Sequence, residues 1–454
     1  MWQNRSTFFV LMAIFFRVMM RDADPHRHPH AFRWLFRGTK WAILLLLLYE
    51  ASRGFCRNPI ETAQLLGGIS WTLCKITAQY VARGFKPKFP KWTLRYELLH
   101  GLMRSAVNRF GERIVDVHHA RVIRRQTAML GTVLGWFACW KHNLRLESVR
   151  INGLEHIWLK FSPSVSTNHV TRKKQRLVVL FFHGGGYAVL SPRMYISFCS
   201  ALIGAIKQEL IANSDTGDDV TVDVFLANYR KVPENQFPVP VEDAVSMYEY
   251  LLQHENLEPS QIVLAGDSAG GGLVLSTLLR VRDGLSSWRA KLPLPLAAIV
   301  LCPLADLTGD EDELAGQHCV LPLRMITAIA LSYHPTYNDP TTWADASPVH
   351  CDLKGLPPLF LQAATLDTLF QHSVRLEAKS KADGITNWEV DVHEGVPHVF
   401  MVMSEYILPY ARIGVQRMAA FAAKQFLNSS RHQRCAVIDY VTAVDNASSS
   451  PAAA

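Results

Sequence analysis

A run of glycines and small residues at 266–272, Gly-Asp-Ser-Ala-Gly-Gly-Gly, constrains the fold of this chain more than any other feature. It follows the apolar stretch Ile262-Val263-Leu264 and precedes a second apolar stretch. Gly266 and Gly270 on either side of Ser268 fit a turn so tight that a strand passes directly into a helix. The pattern predicts a strained Ser268, with its hydroxyl exposed at the N-terminus of that helix.

A second glycine-rich run, His183-Gly184-Gly185-Gly186-Tyr187, directly follows the apolar stretch Leu177–Phe182. Acyl transfer needs backbone N–H groups aimed at the developing oxyanion, and glycines leave that approach open. The run does not have the spacing G-x-G-x-x-G, so a dinucleotide site is not indicated. The two runs together indicate nucleophilic catalysis by Ser268 without a cofactor.

A serine hydroxyl needs a base that removes its proton, and the base needs an acid that orients it. After a turn of this kind the acid and then the histidine follow the serine along the chain. His398 lies in a loop just past the last predicted strand, which is the expected place for the base. His393 falls within that strand, and we interpret it as structural.

The acid should follow the strand before the last one. Asp367 comes shortly after the strand-like stretch Leu359–Ala363 and is the favoured candidate. Asp306 follows an earlier strand and remains the rival, while Asp345 and Asp391 are weaker alternatives.

From about residue 145, strand-like and helix-like segments alternate, which predicts a mostly parallel sheet covered by helices on both faces. The turn Asn152-Gly153 predicts a hairpin between the first two strands. The predicted strands are 145–151, 156–161, 177–182, 222–228, 262–265, 297–301, 359–363 and 389–393. The predicted helices lie near 194–211, 241–255, 269–282, 322–333, 371–384 and 408–427.

The first 60 residues hold nine basic and three acidic side chains, so most of the net charge of +8 is concentrated there. The apolar runs Phe8–Phe16 and Trp41–Tyr49 are each shorter than the roughly 20 residues that span a bilayer. We predict a membrane-associating segment over 1–60, with the alternative that it packs over the catalytic domain. If it is an anchor, the positive-inside rule places that domain in the lumen of the endoplasmic reticulum.

Residues 61–144 are predicted to form a helical, cap-like region, because apolar residues recur there at steps of three and four. Plain core helices are the open alternative. The catalytic domain is assigned to 145–428, and 429–454 are predicted to be a disordered tail. No motif indicates a nucleic-acid partner. The eight cysteines form no C-x-x-C pair, so no metal site is indicated, and buried free thiols are favoured over disulfides.

The two glycine runs resemble the marker motifs of the hormone-sensitive-lipase-like family of α/β-hydrolases. A third stretch, from Asn228-Tyr229-Arg230 to Glu242-Asp243, is similar to a further family segment. The resemblance covers about residues 175–425 and implies an α/β-hydrolase fold. The family usually has Asp-Pro-Leu at the acid, whereas this chain has Asp367-Thr368-Leu369.

The resemblance implies an esterase or lipase with Ser268 as nucleophile, Asp367 as acid and His398 as base. It also implies an oxyanion hole, made of the backbone N–H groups of Gly185, Gly186 and Ala269. His183 would brace the glycine loop, supported by the remaining motif residues Gly184, Gly266, Asp267 and Gly270.

The leading hypothesis is removal of a short acyl group from a small, hydrophobic ester. A receptor for a small ligand is one alternative, because the gibberellin receptor resembles this family but lacks the catalytic histidine. The presence of His398 disfavours that alternative. A glyceride lipase that acts at a membrane surface is the other.

Overall fold

The computed structural model describes residues 49–50, 52–161, 175–214, 220–284, 291–309 and 316–448, with side chains through residue 431. Its strands are β1 Leu144–Ile151, β2 Leu154–Phe161, β3 Gln175–Phe182, β4 Val220–Ala227, β5 Ile262–Asp267, β6 Ala297–Leu301, β7 Leu359–Leu366 and β8 Trp388–Pro397. Its longer helices are α1 Pro59–Ala82, α2 Leu94–Phe110, α3 Val117–His142, α4 Ile196–Ala212, α5 Val239–Gln253, α6 Ala269–Asp283, α7 Leu323–Tyr333, α8 Phe370–Ala382 and α9 Ala411–Ser448.

The strands form one sheet in the order β1-β2-β4-β3-β5-β6-β7-β8. β1 and β2 pair antiparallel, and β2 joins β4 antiparallel, whereas every pairing from β4 to β8 is parallel. The predicted hairpin is confirmed, because Asn152 and Gly153 form its turn with φ of 51° and 77°. The prediction of a mostly parallel sheet is therefore correct.

The uninterrupted apolar run of β3 places side chains on both faces of the sheet, because successive residues of a strand point in opposite directions. Val178 and Leu180 are buried against one set of helices, whereas Val179 and Phe181 are buried on the opposite face. α4 and α9 cover the second of these faces, while α5, α6 and α8 cover the first. The sheet is buried on both sides, as expected for parallel strands.

Three helices precede the sheet, in the region predicted to be helical. α1 packs against α2, and α3 packs against α4 and the short turn before it. Asn58 caps α1 by accepting a hydrogen bond from the Glu61 N–H, and Asp116 caps α3 by accepting from the N–H groups of His118 and His119. The spacing of apolar residues therefore predicted helices correctly in this region.

The last helix corrects the predicted tail. α9 begins at Ala411 and continues to Ser448, so the backbone from 429 to 448 is helical rather than disordered. The sequence has no glycine or proline between Gly414 and Pro451, and nothing local therefore ends the helix earlier. Residues 449–454 lie outside the described part of the chain.

One helix among the described residues, Pro192–Ala212, is long and apolar enough to cross a membrane by length and composition. Half of that stretch is buried inside the protein, where it packs against α3 and α9. It is a core helix of the fold. The predicted membrane-associating runs up to residue 48 lie outside the described residues, so they stay predictions.

Candidate functional site

Ser268 occupies the sharp turn between β5 and α6. Its φ of 53° and ψ of −120° are backbone angles that residues other than glycine rarely adopt. A Cβ at Gly266 would lie 2.4 Å from the backbone oxygen of Gly270, so a side chain there would collide. This close approach explains why the turn needs glycine on both sides of the serine, as the sequence predicted.

The end of β6 holds the strained Ser268 backbone. The Ser268 N–H donates to the backbone oxygen of Leu301 at 2.8 Å, and the Leu304 N–H donates to the Ser268 oxygen at 2.9 Å. The N–H and the oxygen of Ser268 are therefore both hydrogen-bonded, the first to the last residue of β6 and the second to the loop that follows it.

The glycine loop follows β3 and lies beside this turn. Gly185 and Gly186 have φ of 109° and 60°, which strain any other residue. A Cβ at Gly185 would lie 2.5 Å from the backbone oxygen of Val189, and one at Gly186 would lie 2.5 Å from Cδ1 of Ile329. Conformation therefore favours glycine at both positions, and at Gly185 the nearby backbone also leaves no space for a side chain.

Asp267 connects the two glycine runs. Its Oδ1 accepts a hydrogen bond from the Gly184 N–H at 2.9 Å, and its Oδ2 accepts from the Tyr195 hydroxyl at 2.9 Å. The Tyr195 oxygen in turn accepts from the same Gly184 N–H at 3.1 Å. Burial raises the pKa of Asp267 to about 6, although these hydrogen bonds oppose the shift.

Tyr195 is a member of this network that sequence reasoning missed. It is buried and lies 72 residues from Asp267 along the chain. No local motif marks it, because the contact exists only after β3 and β5 pair in parallel.

His183 contacts the glycine loop and the residues that pack against it. Its Nδ1 lies 2.7 Å from the Gly184 oxygen, and its ring stacks on Tyr229 at a centroid distance of 4.7 Å. The Tyr229 hydroxyl donates to the His183 backbone oxygen at 2.8 Å. Burial, and then the charge of Lys231, lowers the His183 pKa to about 3, so the ring is neutral and donates from Nδ1.

Asp367 and His398 are brought together at the ends of β7 and β8. Nδ1 of His398 lies 2.7 Å from Oδ2 of Asp367, and both side chains are buried. The other oxygen, Oδ1, accepts from the Leu369 N–H at 2.9 Å. This arrangement fixes the imidazole ring and leaves its Nε2 as the nitrogen that can exchange a proton.

Two thiols also face Asp367. The Cys302 thiol donates to the carboxylate, and Sγ of Cys319 lies 3.8 Å from its Oδ1. Burial, followed by the nearby Asp367 charge, raises the pKa of both thiols, that of Cys319 to about 12. They are therefore neutral donors, as expected of buried free cysteines.

Thr368 replaces the proline that the family usually has after the acid. It is buried, and its hydroxyl donates to the Leu321 backbone oxygen at 2.6 Å. The hydroxyl ties the turn after β7 to the chain that leads into α7. A side-chain hydrogen bond thus stabilises a turn that proline would stiffen.

Ser268 lies beside the acid–imidazole pair. The Ser268 N–H donates to the backbone oxygen of Leu301. The residue after Leu301 is Cys302, whose Sγ lies within 4.8 Å of a carboxylate oxygen of Asp367 and of a ring nitrogen of His398. The described residues include no hydrogen bond between Ser268 and His398. Catalytic hydrogen bonds of this kind are often too long before the substrate binds.

The rival residues have structural partners. Asp306 binds Arg375 and, at 3.0 Å, Nε2 of His350. Asp345 binds Arg280 at 2.7 Å.

Asp391 binds Arg417 and lies 2.7 Å from Nε2 of His393, whose Nδ1 meets the Tyr410 hydroxyl at 3.0 Å. The interpretation of His393 as structural agrees with these contacts.

Two helices flank the site. Arg104 of α2 donates to the Gly316 oxygen at 2.9 Å, and Trp92, just before α2, donates from Nε1 to the Gly395 oxygen near the end of β8 at 3.1 Å. On the other side, Tyr333 of α7 stacks on Tyr187 at a centroid distance of 3.8 Å. The region 61–144 therefore contacts the loops of the site.

Known proteins are similar to this chain in sequence and fold. The model of a family described by its alpha/beta hydrolase fold matches residues 179–402. An acetyl-hydrolase from Streptomyces hygroscopicus is 32% identical over 255 residues, 54% of this chain and 74% of that protein. A versiconal hemiacetal acetate esterase from Aspergillus parasiticus is 25% identical over 271 residues, 59% of this chain and 76% of that protein.

A solved structure agrees with these relatives. The crystal structure of an esterase from the bacterial hormone-sensitive lipase family matches with a TM-score of 0.56 and 27% sequence identity. The match covers 73% of this chain and 98% of the esterase. On this similarity of sequence and fold, the chain belongs to the hormone-sensitive-lipase-like esterases of the α/β-hydrolase family and is a carboxylic ester hydrolase.

Proposed function

We propose that the chain hydrolyses carboxylic esters by a serine mechanism, with Ser268 as nucleophile, His398 as base and Asp367 as the acid that orients it. The observation that carries the proposal is the 2.7 Å hydrogen bond between Asp367 and His398, beside a strained serine at a strand-to-helix turn. The bond to Asp367 fixes the proton on Nδ1 and leaves Nε2 to take the serine proton.

The first half of the reaction transfers the acyl group to the protein. Oγ of Ser268 attacks the ester carbonyl carbon while Nε2 of His398 takes the hydroxyl proton. The tetrahedral intermediate then collapses, the bond to the alcohol oxygen breaks, and His398 returns the proton to the departing alcohol. In the second half a water molecule gives a proton to His398 and attacks the acyl carbon. The bond between that carbon and Oγ of Ser268 then breaks, His398 returns the proton to Oγ, and the carboxylic acid leaves.

The oxyanion that forms in both halves needs backbone donors. We assign this role to the N–H groups of Gly185, Gly186 and Ala269. The support is that Ala269 opens α6, where backbone N–H groups have no acceptor within the helix, and that the two glycines adopt φ values that few residues share. The helix dipole also favours negative charge at that end.

The proposed substrate is a hydrophobic ester with a short acyl group, such as acetate. Two relatives with substantial coverage are an acetyl-hydrolase and a hemiacetal acetate esterase, which supports a small acyl group.

The test compares wild type with Ser268→Ala on p-nitrophenyl esters of increasing acyl length. We expect hydrolysis by wild type, highest for acetate and falling with chain length, and a loss of activity in the variant. Equal rates for the two proteins would rule out the serine mechanism, whereas a preference for long chains would rule out only the short acyl group.

The same experiment separates the alternatives. A small-ligand receptor would bind an ester tightly without turnover, and His398 beside Asp367 disfavours it. A glyceride lipase would show a rise in rate when long-chain esters form a separate phase.

The location of the chain in the endoplasmic reticulum lumen remains a proposal, which a glycosidase-sensitive mass shift of the cellular protein would test.

A further inference from the structure

α3 carries an apolar face that the described protein does not cover. The stretch 126–140 has no charged residue, although it lies on the surface. We call its exposed apolar residues the α3 stripe: Met129, Leu130, Val133, Leu134, Trp136, Phe137 and Trp140.

The opposite face of α3 already packs against the protein. A Cβ at Gly131 would lie 2.5 Å from the backbone carbonyl of Arg193, and one at Gly135 would lie 2.9 Å from side-chain atoms of Ile196. Cys139 is buried on the same side. The α3 stripe is therefore an outer face, about 16 Å long at the helical rise per residue.

Three of the seven residues of the α3 stripe are aromatic. Trp136, Phe137 and Trp140 are 65%, 55% and 79% exposed, and the rings of Trp136 and Phe137 contact each other at a centroid distance of 4.9 Å. A continuous apolar surface of this kind is rare on proteins that work alone in water and marks an interaction site. Tryptophan suits the boundary between water and lipid, because its ring is apolar and its N–H is polar.

The charges on α3 favour an anionic lipid surface over another apolar protein. α3 contains no acidic residue, and the exposed cations Arg125 and Lys141 flank the stretch on both sides, whereas Arg121 pairs with Glu234 at 2.9 Å. An apolar face bounded by cations is the pattern of helices that lie in the headgroup region of a bilayer.

The course of the chain agrees with this orientation. The Gln126 side chain donates to the Glu50 backbone oxygen at 2.5 Å, and a Cβ at Gly54 would meet Ile123. The described chain therefore starts against the beginning of the α3 stripe. The basic and apolar sequence of residues 1–48 precedes that point.

We propose that the α3 stripe is a membrane-docking surface that inserts its aromatic side chains into the headgroup and upper acyl region of an anionic bilayer. The proposal goes beyond ester hydrolysis and does not depend on it. The helix also reaches the glycine loop, because Arg124 donates to the Ala188 backbone oxygen at 2.6 Å. Docking through α3 holds the site beside the lipid phase, where hydrophobic esters concentrate.

The test measures quenching of tryptophan fluorescence in the full chain by vesicles of phosphatidylcholine and phosphatidylserine whose acyl chains carry bromine. Bromine quenches only rings that enter the bilayer. We expect quenching in wild type and clearly weaker quenching in Trp136→Phe/Trp140→Phe, where any remainder comes from Trp34 and Trp41 of the predicted membrane-associating segment. Trp71→Phe is the matched control, because Trp71 is 74% exposed on α1, outside the α3 stripe, and its loss should change little.

Hydrolysis of soluble p-nitrophenyl acetate should be equal in all three proteins, which shows that the substitutions leave the fold intact. Equal quenching in wild type and the double variant would overturn the proposal. So would a loss of quenching in Trp71→Phe as large as in the double variant. Shielding of Trp136 and Trp140 from iodide without vesicles would also overturn it, because residues 1–48 or a second copy would then cover the stripe. Ser268→Ala should bind the vesicles like wild type, so the hydrolytic proposal can fail independently.

Discussion

Asp367 and His398 are 31 residues apart in the chain, yet their side chains meet at 2.7 Å where the neighbouring strands β7 and β8 end. The Leu369 N–H and two neutral thiols hold the carboxylate in place. The pair is thus fixed on the protein before any substrate arrives, so that little reorganisation is needed during the reaction.

Replacement of the acid should slow the chemical step without loss of fold. In Asp367→Asn the amide cannot stabilise the imidazolium that forms on His398, and we expect kcat to fall about 10³–10⁴-fold. Steady-state kinetics on p-nitrophenyl acetate measure the effect. The matched control is Asp306→Asn, which removes a buried carboxylate bonded to Arg375 and should lower the unfolding temperature while kcat is kept. A larger loss of kcat in the control would identify Asp306 as the acid.

A methyl group in the glycine loop should damage the oxyanion donors. In Gly185→Ala the new Cβ would approach the Val189 backbone oxygen at 2.5 Å, and φ of 109° is strained. We expect kcat to fall roughly 10²–10³-fold, as for the loss of one donor. Gly153→Ala is the control, because its φ of 77° is also positive but open space surrounds it in the hairpin. That variant should lose stability and keep kcat, and equal rate losses would argue against a specific role of the loop.

The Tyr195 hydroxyl should matter for stability as well as for rate. Tyr195→Phe leaves Oδ2 of the buried Asp267 without its donor, which costs about 1–3 kcal/mol of unfolding free energy. The substitution also removes one acceptor of the Gly184 N–H, which makes the glycine loop less rigid. Because this loop carries the proposed oxyanion donors, kcat should fall while KM changes little. Denaturant unfolding and steady-state kinetics measure the two effects. Unchanged stability would show that the network around Asp267 does not hold the loop.

Lys231 should make stability depend on pH. It is buried, bonded to the Tyr229 backbone oxygen, and its pKa is lowered to about 7 by burial and by Arg124. Below pH 7 the lysine is charged in both states, and the fold bears the full cost of burying that charge. As the pH rises from about 7 towards the ordinary value of 10.5, the folded state sheds its proton first, so this cost is relieved.

Lys231→Met removes that dependence. The unfolding free energy of wild type should therefore rise relative to the variant across the same pH range, as measured by urea unfolding at several pH values. A difference that is constant with pH would show that Lys231 keeps its charge in the folded protein.

The sequence predicted those parts of the site that depend on local geometry. The turn at Ser268 and the loop at Gly185 need glycine for reasons that act within a few residues, so a motif can mark them. The pairing of Asp367 with His398 followed from the order of strands. Tyr195 and the thiols of Cys302 and Cys319 could not be predicted, because they reach the site only after distant strands pair.

The C-terminal residues 429–448 are a part of the chain that composition predicted wrongly. Its composition after residue 428 indicated disorder, whereas α9 continues to Ser448. Composition describes how much apolar surface a segment can bury, and it does not determine where an established helix ends. Because no glycine or proline follows Gly414 before Pro451, the helix that begins at Ala411 continues.

The central claim is that Ser268 forms a covalent bond to the acyl group, and its most direct test uses a fluorophosphonate, which forms a stable bond with an activated serine. After labelling of the full chain, peptide mapping by mass spectrometry should find the adduct on the peptide that contains Ser268. Labelling should be absent in Ser268→Ala and much slower in His398→Gln. An adduct at another residue, or undiminished ester hydrolysis by Ser268→Ala, would contradict the account.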